Sequence, residues 1–234
     1  MRDDVDIGAL RALLAQKGKL RAAINLGNKA LVQHRSEDDE PTGISPSLAR
    51  ELAKLLGVPL EMVIFNGAGP VTKALAEDAW DIAFLAIDPD RLGIIAFTDP
   101  YILIEGTYAV RAGSGISSVG DADGEGMRIV ASVGSAYELH LRRTLRHAEL
   151  IPAATPASSM QAFLDGEGDA VAGVRQTLEA FFRGREGFKV LPDRITAIEQ
   201  AIAVPAAKAS ATPHLNAFLT GLKRSGFIDM ELGA

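Results

Sequence analysis

The sequence predicts an α/β protein of two similar lobes, each an open, mostly parallel sheet flanked by helices. Two observations carry this. Short, nearly continuous apolar runs at 80–87 (WDIAFLAI) and 169–174 (DAVAGV) have the length and composition of strands buried on both faces. Such runs alternate with helical patterns in two series of the same order, separated by a Gly-, Ser- and Asp-rich stretch at 112–126. No residue-level repeat accompanies the repeated order.

The elements follow in turn. Val5, Ile7, Leu10, Leu13 and Leu14 have helical spacing, and Gly18 ends that helix. A first strand is predicted over 19–26, then a turn and a polar loop at 33–43. Ser45 is predicted to cap the next helix with Pro46 at its first position, and Gly57 to end it. Strands at 58–65 and 80–87 flank a helix at 71–78. A turn at Thr98-Asp99-Pro100 precedes a long extended stretch reaching 110. The second series has strands at 127–132, 149–152, 169–174, 189–191 and 198–204. Its helices lie at 137–146, 158–164 and 176–182, and a final amphipathic helix covers 215–225. The lobes are expected to comprise residues 1–108 with 205–234, and residues 109–204.

Composition bounds the function. At 234 residues the chain can bury a core without disulfides or metal, and it has no cysteine. This removes thiol catalysis and cysteine-based zinc sites. The net charge of −6 and the lack of a basic cluster beyond Arg142, Arg143 and Arg146 argue against nucleic-acid binding. No apolar run is long enough to span a bilayer. The acidic start lacks the apolar segment of a secretory leader. The four histidines are scattered, and neither a P-loop, a dinucleotide fingerprint nor a G-x-S-x-G motif is present. No cofactor or metal is expected.

Several short motifs, taken in order, resemble one family. They are Gly18-Lys19-Leu20-Arg21, Gly43-Ile44-Ser45-Pro46-Ser47-Leu48-Ala49, Leu55-Leu56-Gly57-Val58, Trp80-Asp81-Ile82, Phe97-Thr98-Asp99-Pro100-Tyr101 and Gly168-Asp169-Ala170-Val171. From Gly18 onward the chain resembles the family 3 periplasmic solute-binding proteins that feed polar amino acids to ABC importers. The resemblance implies a type II periplasmic-binding-protein fold, with two crossing segments as the hinge. It implies a monomer in the periplasm, its leader absent from this chain, handing a small polar ligand to a membrane permease. The same fold carries sensor domains and periplasmic dehydratases of the cyclohexadienyl or arogenate type, so these remain alternatives.

Ligands of open α/β sheets bind beyond the carboxyl ends of the strands, which here places Asn25, Phe65, Ala86 and Ile87 at the crevice. Arg91, in Ile87-Asp88-Pro89-Asp90-Arg91, resembles the family arginine that grips a ligand carboxylate. A guanidinium fork suits that role, and the alternative is a surface arginine paired with Asp88 or Asp90. Asp88 either caps the turn before Pro89, positions Arg91 or reads a ligand amine. Gly134, Ser135 and Ala136 stand at a helix start, where free N–H groups and a hydroxyl favour an anion. The family's ammonium-binding aspartate corresponds here to Val174. The neighbouring Arg175 would favour a second anionic group if it faces the cleft. Glu105, in the connecting segment, would hold an amine, act as a general acid or base, or brace the hinge. The expected ligand is therefore a small carboxylate-bearing solute, an amino acid or a related organic acid.

Overall fold

A computed structural model describes residues 5–33 and 40–233. His34 and the centre of the predicted polar loop, 34–39, lie outside the described residues. The chain opens with α1 (Ile7–Leu14), whose N–H groups are capped by Asp6, and passes through β1 (Leu20–Asn25) to α2 (Ile44–Leu56). Leu48, Leu52 and Leu56 of α2 point into the core, and Gly57 ends the helix in the left-handed conformation, φ 63°. The helix starts two residues earlier than expected. Gly43, not Ser45, is the cap, and the Ser45 hydroxyl is instead buried against the Tyr101 hydroxyl at 3.2 Å.

The first series continues with β2 (Leu60–Phe65), α3 (Ala68–Lys73) and β3 (Ile82–Ala86). All five residues of β3 are buried, as its apolar run requires. The short β4 (Ile95–Phe97) leads into the long β5 (Ile102–Arg111). The second series comprises β6 (Arg128–Ser132), α4 (Ala136–Thr144), β7 (Glu149–Ala153), α5 (Pro156–Leu164), β8 (Ala170–Val174) and α6 (Arg175–Phe182). Then follow β9 (Phe188–Val190), the long β10 (Thr196–Pro205), α7 (Thr212–Arg224) and α8 (Phe227–Leu232). The last helix has no counterpart in the sequence reading. At six residues it is too short to show a period.

One sheet of ten strands joins everything, in the order β2-β1-β3-β10-β5-β8-β6-β7, with β4 on β10 and β9 on β5. The two ends of the sheet mirror one another. β1 pairs in parallel with β2 and β3, and β6 pairs in parallel with β7 and β8. In each series the first strand therefore sits between the second and third. The long strands β10 and β5 pair antiparallel to each other at the centre and connect the two parallel halves. The expected pair of crossing segments is this central pair. Each half has its own small apolar cluster on one face, one around Val71, Trp80 and Ile95, the other around Phe163, Phe182 and Val171.

One buried charge cluster fastens the first half. Asp81, just before β3, accepts the Arg21 backbone N–H at 3.0 Å and the Arg21 guanidinium at 3.0 and 2.9 Å. Lys208 adds a contact at 2.8 Å. Burial opposes charge on Asp81, but the bonds from Arg21 and Lys208 outweigh it and hold its carboxyl below the usual aspartate range.

Candidate functional site

In both halves the parallel strands run their carboxyl ends toward one crevice. Asn25, Gly27 and Asn28 follow β1 on its wall, and Phe84 to Ala86 end β3 there. Ser135 and Ala136 come from the turn after β6, and Ala172 to Val174 from the end of β8. Ile198 and Gln200 of β10 close the side nearest the hinge. The crevice encloses about 600 Å³ counting its open mouth, yet the centre of a water molecule can range over only about 50 Å³ of it.

The halves touch across this crevice. A Cβ on Gly69 of α3 would lie 2.5 Å from the Val133 carbonyl oxygen, and one on Gly134 would lie 2.7 Å from the Gly69 Cα. Only glycine permits that approach. The Lys29 N–H donates to the Thr177 hydroxyl at 3.2 Å.

Arg91 is the one charged side chain among the described residues of the crevice wall, and it is 1% exposed. Its Nη1 donates to the Ala86 carbonyl at 2.6 Å and its Nη2 crosses to the Gly134 carbonyl at 2.7 Å. Its Nε is buried without a partner. Burial pushes the Arg91 pKa down to about 10, with Asp88 and Asp90 partly offsetting it, so the charge persists at neutral pH. The surface alternative fails because Arg143 occupies both aspartates. It bonds Asp88 through two nitrogens at 3.0 and 2.9 Å and reaches Asp90 at 3.2 Å.

The predicted site residues divide into two groups. Arg91, Ser135, Ala136, Ala86 and Asn25 line the crevice, and Gly134 touches it through its carbonyl bond to Arg91. The Ser135 hydroxyl caps α4 by accepting the Glu138 N–H at 3.2 Å. Phe65, Ile87, Asp88, Glu105 and Arg175 are not on its wall. Phe65 packs on the cluster around Trp80. Asp88 is a cap, accepting the Asp90 N–H at 2.9 Å, and its remaining capacity goes to Arg143. With Ile87 it borders a separate polar recess beside His140. Burial and the neighbouring Arg143 lower the pKa of His140.

Arg175 is engaged by protein groups. Its Nε bonds Glu105 at 2.8 Å, and its other nitrogens donate to the carbonyls of Leu191, Pro192 and Asp193 at 2.8 to 3.0 Å. Glu105 is thereby neutralised, with Arg194 at 3.7 Å as a second partner. Both residues are thus engaged with each other and lie off the crevice wall.

Four polar lining residues, Tyr137, Ser159, Thr177 and Gln200, are not picked out by the sequence, and Asn28 is placed by it only as a residue at the end of the first strand. Gln200 had a signal, a polar residue inside the apolar run of a long strand, and it is 5% exposed. At the end of the first strand Asn28 suits a turn as well as a crevice wall, and its Oδ1 is buried without a partner.

This architecture, two mirrored parallel half-sheets meeting at a crevice with a central pair of long strands, is that of the two-lobed periplasmic binding proteins. The chain belongs to the bacterial extracellular solute-binding proteins, family 3, whose model matches residues 20–230. Among solved structures it is similar to a mutant of ArgBP from T. maritima (21% identity, 96% of this chain and 97% of that one, TM-score 0.81). It also resembles a putative binding component of an ABC transporter from Wolinella succinogenes complexed with lysine (25%, 92% and 94%, TM-score 0.79). A third is the ancestral amino acid-binding protein AncCDT-1, described as a precursor of cyclohexadienyl dehydratase (23%, 95% and 96%, TM-score 0.78). No curated protein sequence matches the chain. Among the described residues no helix is long and apolar enough to cross a membrane.

Proposed function

We propose that the protein is the solute-binding component of an ABC importer, closing on a small carboxylate-bearing solute between its lobes. It would act as a periplasmic monomer and pass its cargo to a membrane permease. The lobes in this reading are residues 1–108 with 205–234, and 109–204. One observation carries the ligand class: the guanidinium of Arg91 is buried at the crevice, lacks a carboxylate partner and leaves its Nε unpaired. A buried cation in that state favours an anion that can take its free N–H. Crevice walls drawn from both halves would bind the closed form more tightly than the open one, so the ligand would shift the population toward closure.

The dehydratase alternative is supported by the description of one similar structure. It would require a proton donor at the crevice, and the acid considered for it, Glu105, is engaged with Arg175. Binding is therefore the reading we favour. Thermal melting in the presence of a panel of small mono- and dicarboxylates tests it. At least one should raise the midpoint in a saturable manner, and prephenate should not be turned over. No shift with any carboxylate, or product from prephenate, would overturn the reading.

A further inference from the structure

The crevice holds a cation but no acid. Each carboxylate close to the described wall is already occupied: Asp88 by Arg143, Glu105 by Arg175, and Glu138 by Arg142 at 3.8 Å and by the Gly134 N–H at 2.9 Å. An ammonium entering this space would lose water and meet only neutral amides and hydroxyls. Arg91 would repel it from the same wall. Desolvating a charge without a counter-charge is costly.

Two buried atoms nevertheless need partners, and they are complementary. Arg91 Nε is a donor without an acceptor, and Asn28 Oδ1 is an acceptor without a donor. Both residues line the same crevice. A carboxylate oxygen answers the first, and an uncharged O–H answers the second.

We propose that the crevice selects a hydroxycarboxylate over the amino acid of the same shape, with the carboxylate at Arg91 and the hydroxyl donating to Asn28. This rests on the carboxylate-binding reading above. Amine recognition is absent because no lining side chain carries negative charge. Asn28 supplies specificity: its neutral amide accepts from a hydroxyl but offers no countercharge to an ammonium.

Isothermal titration with two matched pairs, glycolate against glycine and lactate against alanine, tests this directly. Within each pair only the hydroxyl and the ammonium differ. The hydroxy acid should bind at least tenfold more tightly in at least one pair. In Asn28→Asp the preference should shrink or reverse, because a carboxylate now faces the donor. An amino acid binding as tightly as its hydroxy partner would overturn the proposal, as would an unchanged preference in Asn28→Asp. If no member of either pair binds, the proposal also fails. Larger carboxylates whose binding is lost in Arg91→Ala would then leave the broader reading standing, whereas no carboxylate binding at all would end both.

Discussion

The two ends of β3 carry two buried arginines in opposite states. Behind the strand, Arg21 meets Asp81 through three bonds, and Lys208 completes the cluster. Beyond its carboxyl end, Arg91 is more deeply buried, yet its guanidinium meets two carbonyls and no carboxylate. Burial with countercharge raises the Arg21 pKa, and burial without it lowers that of Arg91. The first arginine is scaffold. The second is held in a state that an anion would complete. The same side chain, in the same half of the molecule, thus fastens the fold at one end of a strand and is poised for binding at the other.

The scaffold end should show the largest effect on stability. Asp81→Ala leaves Lys208 without its carboxylate and Arg21 with Asp78 alone, at 2.9 Å, and should destabilise the protein by about 3 kcal/mol, measured by denaturant unfolding. Acid should act through the same group. Because Asp81 titrates below its ordinary value, it contributes stability at neutral pH. That contribution drains as pH falls through about 4 and onward through the lower folded-state pKa. Wild type should therefore lose stability in this window more steeply than Asp81→Asn.

Next in size is closure. Gly69→Ala places a methyl within 2.5 Å of the Val133 carbonyl oxygen, but only when the halves meet. The variant should keep its unfolding midpoint and lose about tenfold in ligand affinity, roughly 1.4 kcal/mol. Small-angle scattering should show it more open at saturating ligand. Unaltered affinity would mean that this contact is not needed for binding.

The smallest effect tests the contrast itself. Arg175 is also a half-buried cation at the second lobe's strand end, but Glu105 already pairs with it. Glu105→Gln should change carboxylate affinity less than twofold and stability by about 1 kcal/mol or less, since Glu105 is substantially exposed. A large loss of affinity would return the pair to the binding site.

Much of this was legible from sequence. The succession of strands and helices follows from apolar runs such as that of β3, and much of the crevice from the ends of β1 and β3 and the turn after β6, although Phe65 at the end of β2, also expected there, lies off the wall. Arg91 was legible through its motif. Its isolation was not, because Arg143, which removes Asp88 and Asp90, arrives from a helix 55 and 53 residues further along. The Arg175–Glu105 bond likewise spans 70 residues and depends on α6 packing beside β5. Asp81, matched only as part of a motif, proved to be structural. For Asn28 the sequence leaves turn and crevice equally open, because the burial of its Oδ1 is a property of packing, which spacing does not encode.

The central claim is that Arg91 receives the carboxylate. Titrating wild type and Arg91→Ala with the same carboxylate panel tests it most directly. The best wild-type ligand should weaken by about 2–5 kcal/mol, thirtyfold or more, in the variant, while denaturant unfolding without ligand shows the fold intact. Equal affinity in a folded Arg91→Ala protein would contradict the account.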